Sequence, residues 1–137
     1  MRKVTSNAPD ALHHPLTFVS DLQCSTAFYR DILGLIVRAD FGNFVLFEGG
    51  FAVHEGGALS ETVWGAAASD PGPYGRGNLL LYFEDDDVDA AFERIAPHVE
   101  LIHPVERQTW GQRVFRFYDP DRHAVEVGEP QAVAPQD

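Results

Sequence analysis

Hydrophobic and polar residues along the chain follow two periods in turn. Residues 12–19, LHHPLTFV, read as a strand, and SDLQCSTAFYRDILGL then sets Leu22, Phe28, Ile32 and Leu33 at mostly helical spacing before Gly34 closes the helix. Ser20 or Asp21 is placed to cap its start. Short β-type runs follow at LIVRAD, NFVLFE and FAVHE, parted by Gly42 and by the pair Gly49 and Gly50, which supply turn conformations. The order is βαβββ. After a connector rich in Gly, Ala and Pro, residues 56–75, the same order returns: NLLLYF as strand, DDVDAAFERIA as helix, then strands near VELIHPV, QRVFRFY and HAVEV. The pattern predicts one α+β domain over residues 1–137, built from two tandem βαβββ modules at about 11–55 and 76–129, with a tail at 130–137.

Residue matches support an internal duplication. Ala27, Phe28 and Arg30 in the first helix match Ala91, Phe92 and Arg94 in the second at one constant spacing, and Asp21 matches Asp85 at the same spacing. Carried back to the strand ahead of each helix, that spacing pairs His14 with Asn78, Leu16 with Leu80 and Phe18 with Tyr82. In the last strands, FAVHEG and HAVEVG pair Ala52 with Ala124 and His54 with Glu126. Side chains alternate between sheet faces, so His54 lies with Ala52, and Glu126 with Ala124. Two such modules paired edge to edge form a curved mixed sheet around a cleft on which equivalent positions converge. His14, His54 and Glu126 would then supply two imidazoles and a carboxylate, a donor set suited to Fe(II), Mn(II), Zn(II) or Ni(II).

Composition narrows the function. A chain of 137 residues with 45% hydrophobic content is long enough for one packed domain. The formal charge of −11, from 10 Lys and Arg against 21 Asp and Glu, repels phosphate backbones and anionic membranes, so neither nucleic acid nor a membrane is expected as partner. Cys24, the single cysteine, forms no internal disulfide; it is expected to pack as a small apolar side chain in a cytoplasmic protein. The acidic run Glu84 to Asp87 lacks the spacing of a calcium loop and reads as a helix start. No G-x-S-x-G elbow, phosphate loop or dinucleotide fingerprint is present. His13 is expected at the surface, His98 and His103 have no assigned role, and His123 lies out of phase with Glu126.

The segments HHPLTFVSDLQCSTAFYRDILGL and WGQRVFRFYDPDRHAVEVGE resemble the opening and closing motifs of the vicinal oxygen chelate superfamily, also called the glyoxalase, bleomycin-resistance and extradiol-dioxygenase family. The resemblance covers about residues 12–129. It implies that the first and last strands of each module carry metal ligands, which fall on His14, His54 and Glu126. The family's further ligand, usually His, falls on Asn78, here a weak fourth ligand or a hydrogen-bond partner at the rim. Arg122 departs from the family in the same way, standing where its turn often has Gly. The implied activity is glyoxalase-like lyase or isomerase chemistry on a substrate that chelates a divalent metal through adjacent oxygens, with Glu126 as the catalytic base. The alternative is a metal-free drug-binding protein of the resistance type. Arg116 is implied to face the cleft, where it either binds a substrate anion or neutralises Glu126. Trp110 either covers an apolar ligand or caps the core, and Trp64 has no assigned part. A homodimer is expected, as in the family.

Overall fold

A computed structural model describes residues 12–66 and 70–131. The first module runs β1 (Thr17–Val19), α1 (Leu22–Ala27), a wider π-helical turn (Phe28–Ile32), β2 (Val37–Asp40), β3 (Phe44–Phe47) and β4 (Phe51–Glu55). Helix α2 (Gly56–Trp64) opens the connector. The second module runs β5 (Leu80–Glu84), α3 (Val88–Ile95) with a 3-10 turn at Ala96–His98, β6 (Glu100–Arg107), β7 (Arg113–Tyr118) and β8 (Ala124–Gly128).

Local chemistry explains the helix ends. The Asp21 carboxylate accepts the Cys24 N–H at 3.0 Å, and Asp87 does the same for Ala90 at 3.0 Å, so each module starts its helix on an aspartate cap. Gly34 stops the first helix at φ 86°, and the Leu35 N–H returns to the Tyr29 carbonyl at 2.9 Å.

The duplication is visible in the sheets. They are two four-stranded mixed sheets of equivalent order, β1-β4-β3-β2 and β5-β8-β7-β6. In each the first and last strands of the module pair in parallel and the others antiparallel. One hydrophobic core joins the helix-covered faces: Val19, Phe28, Tyr29, Phe47 and Val53 from the first module pack with Ala91, Ile95, Phe115, Phe117 and Val127 from the second. The modules also meet at both ends of their inner strands. The Ser20 N–H donates to Asp121 Oδ2 at 2.9 Å at one end, and the Phe51 and Phe83 rings lie 5.7 Å apart at the other. The opposite face of each sheet stays open, with Leu16, Leu80 and Tyr82 exposed on it.

Three expectations need correction. The first strand begins at Thr17, so His14 precedes it rather than standing within it. The connector contains a helix, capped by the Glu55 carboxylate, which accepts the Gly57 and Ala58 N–H groups. Cys24 is exposed, not packed: the helical phase that buries Ser25, Phe28 and Tyr29 turns Cys24 outward. The end of the predicted tail, residues 132–137, and position 11 lie outside the described residues.

Candidate functional site

The open face of the first sheet carries two of the expected ligands. His54 is half-buried on β4, opposite Phe44 on β3 and Phe18 on β1, because directly paired residues share a face. Its Nδ1–H donates to the Glu55 carbonyl at 3.0 Å, and that of His14 to the Pro15 carbonyl at 3.2 Å. In the neutral form of each imidazole the lone pair is then on Nε2. Both rings stack on Phe44, at 6.0 Å for His14 and 5.8 Å for His54.

Glu126 lies on the open face of the second sheet, in a row set by register: Tyr82 on β5, Glu126 on β8, Arg116 on β7 and His103 on β6. The carboxylate is buried and Arg116 Nε donates to it at 2.7 Å. The rest of the guanidinium is also held. One terminal nitrogen donates to His103 Nε2 at 2.9 Å and the other to Gln108 Oε1 at 3.1 Å. Since arginine only donates, His103 Nε2 accepts and that imidazole is neutral. His103, given no role from sequence, thus helps to fix the orientation of Arg116.

A second chain of bonds runs beside it. Tyr82 donates to Glu84 at 2.7 Å and accepts from Gln112 Nε2 at 2.8 Å, while Gln112 Oε1 accepts the Trp110 indole N–H at 2.9 Å. Burial, then the Glu84 hydrogen bond, raises the pKa of the Tyr82 hydroxyl, so it stays a donor at neutral pH. Trp110 is anchored through its nitrogen yet 57% exposed, which fits a rim position better than a core cap. Trp64 is exposed too, with its ring 6.1 Å from Phe18.

A family model described as a glyoxalase-like domain matches residues 12–132. The chain belongs to the glyoxalase-like family. Three solved structures resemble this glyoxalase-like protein over most of its length. A protein of unknown function from Agrobacterium tumefaciens strain C58 is 62% identical, covers 90% of this chain and 97% of its own, and has a TM-score of 0.85. Lactoylglutathione lyase from Agrobacterium tumefaciens is 26% identical over 89% of this chain and 95% of its own, with a TM-score of 0.66. The genomically encoded fosfomycin resistance protein FosX from Listeria monocytogenes is 25% identical over 90% and 96% respectively, with a TM-score of 0.65.

The metal that this family implies can be tested against the donors. His14 and His54 present lone pairs on the first sheet, but the Glu126 carboxylate is bound to Arg116 on the second. Asn78 lines a cavity with Leu16, Phe18, Tyr74 and His123, none of them an expected ligand. Among the described residues, no three His, Cys, Asp or Glu side chains gather as a metal site. The donor set, as arranged, does not fit a metal ion. Of the two parts left open for Arg116, the geometry supports neutralisation of Glu126. Arg122, standing where the turn of the resembling family often has glycine, adopts φ 67°; its side chain bonds Glu100 at 2.6 Å and lies over the Tyr118 ring.

Proposed function

We propose that this glyoxalase-like protein binds a small neutral or cationic aromatic molecule on its open sheet faces without using a metal. One observation carries the reading: the carboxylate best suited to ligate an ion, Glu126, is committed to Arg116 at 2.7 Å. Releasing it would leave a buried guanidinium contact and a buried carboxylate unpaired, which costs several kcal/mol in typical cases. The rest of the face suits a flat ring. Phe18, Phe44, Tyr82 and Trp110 offer aromatic surface, and the balanced Arg116–Glu126 pair adds no net charge. A net charge of −11 disfavours anionic ligands at long range.

A homodimer in the cytoplasm belongs to the same proposal. Support comes from Ile36, Phe41 and Ile102, at 61%, 64% and 42% exposure, which a second copy would cover. The lone Cys24 leaves no disulfide to form within the chain.

The test is calorimetric titration of a panel of aromatic amines, phenols and heterocycles, before and after dialysis against EDTA. Unchanged affinity after dialysis is the expected result. Binding or turnover that EDTA abolishes and Zn, Ni, Mn or Fe restores would overturn it. That outcome would favour a metal-dependent lyase or isomerase with His14, His54 and Glu126 as ligands.

A further inference from the structure

A second polar centre, unused by the Arg116 network, lies where the end of β1 meets the turn before β8. His123 is 5% exposed, and its Nδ1 lies 2.9 Å from Asp119 Oδ2. Asp119 is itself 4% exposed and fully engaged. Oδ2 also accepts the Tyr29 hydroxyl at 2.6 Å, and Oδ1 accepts the Asp121 and His123 N–H groups at 2.8 and 2.9 Å. A carboxylate fixed by this many donors holds the imidazole in one orientation and one tautomer. Nδ1 then donates to Asp119, and in the neutral imidazole Nε2 holds the lone pair. Among the described residues, Nε2 has no hydrogen-bond partner.

The imidazole lines a cavity of about 200 Å³. Leu16, Phe18 and Leu79 make it apolar, Tyr74 lies tilted beside Phe18 with ring centroids 5.8 Å apart, and Asn78 adds an amide. Pockets for drug-sized ligands occupy roughly 300–1,000 Å³, so this one suits a single ring. Its polar chemistry is equally restrictive. An acceptor nitrogen in an apolar, aromatic surround selects a ring that carries a donor, and an unmatched donor or acceptor there would go unpaired.

We propose that His123, held by Asp119 and Tyr29, is the hydrogen-bond acceptor of a subsite for the hydroxyl or N–H of a single-ring aromatic molecule. The site rests on the reading of the open faces as a ligand site, and it names the chemistry that one end of that surface selects. Asn78 then acts as a ligand-facing amide in place of the imidazole expected at its position. Asp119 and Tyr29 are positioning residues, acting through His123.

The experiment compares phenol with anisole, which has the same ring and a methylated oxygen. Each is titrated into the full wild-type chain and followed by NMR at backbone amides and imidazole nitrogens. Phenol should bind about tenfold more tightly, the loss of one buried hydrogen bond for anisole. The Leu16, Phe18 and Leu79 amides should shift, and the His123 Nε2 resonance should move while that of His54 does not. His123→Met, where folded, should bind the two probes equally; the wild-type comparison stands without it. Equal affinity for phenol and anisole in the wild type, or shifts confined to Trp110 and Arg116, would overturn this subsite and leave the proposed function in place. Absence of binding by both probes would overturn this subsite, whereas dependence on added metal would overturn the metal-free reading alone.

Discussion

Tyr29→Phe removes one oxygen from the centre of the molecule and tests how the two modules are fastened. Tyr29 is 0% exposed, and its ring packs 4.7 Å from Phe51 and 5.1 Å from Phe28, contacts that phenylalanine retains. What goes is the 2.6 Å hydrogen bond to Asp119, a bond between modules. Hydrogen bonds to charged groups contribute about 1.5–3 kcal/mol. Asp119 keeps its two backbone donors and His123, so the loss should sit near the lower part of that range, at about 2 kcal/mol. For a chain of this size that corresponds to a fall in Tm of roughly 6–10 °C.

The pH arm makes the test specific. Burial first, and the Asp119 charge second, raise the Tyr29 pKa well above 10.0. The unfolded chain therefore releases this proton near pH 10 while the folded chain retains it. Stability is fully present below that pH and is lost as pH rises towards the folded pKa, by about 1.4 kcal/mol per pH unit. The variant lacks the group, so its deficit relative to wild type should shrink above pH 10. Urea unfolding at pH 7, 9, 10 and 11 measures both effects. A deficit below about 0.5 kcal/mol at pH 7, or one that stays constant to pH 11, would show that the Tyr29–Asp119 bond does not fasten the modules.

Two further perturbations probe the site and its scaffold. Arg116→Met should cost about 2–3 kcal/mol by leaving Glu126 buried without its cation, discounted because Arg116 is partly exposed; adding Glu126→Leu should restore much of it in a urea-based double-mutant cycle. Gly75→Ala should cost about 3 kcal/mol and reduce soluble yield, since a Cβ there overlaps the Arg122 carbonyl; a Tm within 2 °C of wild type would contradict that packing.

The elements that were legible in sequence are those with a local cause. Asp21 and Asp87 announce their helices, Gly34 ends one, and the short runs of Val and aromatic residues in FVLF and RVFRFY give β3 and β7. Helix α2 was hidden because Gly56 and Gly57 are poor helix formers, and its cap, Glu55, reads as the end of a strand. The duplication correctly paired equivalent strands, yet equivalence gives faces and not distances. Glu126 and Arg116 are opposed by register on neighbouring strands, a relation that spacing along the chain leaves open. His103 joins them from β6, whose irregular pairing breaks the two-residue period that sequence reading relies on. The link from Tyr29 through Asp119 to His123 crosses between modules, and no local pattern marks it.

The central claim is that Glu126 serves Arg116 and not a metal ion. Elemental analysis of protein purified from cells grown with added Zn, Ni, Mn and Fe, followed by titration of each ion into the chelator-treated chain, tests it most directly. Clearly substoichiometric metal and no saturable binding at micromolar ion are the expected results. One ion per chain in the wild type, lost on Glu126→Gln and on His54→Ala, would contradict it.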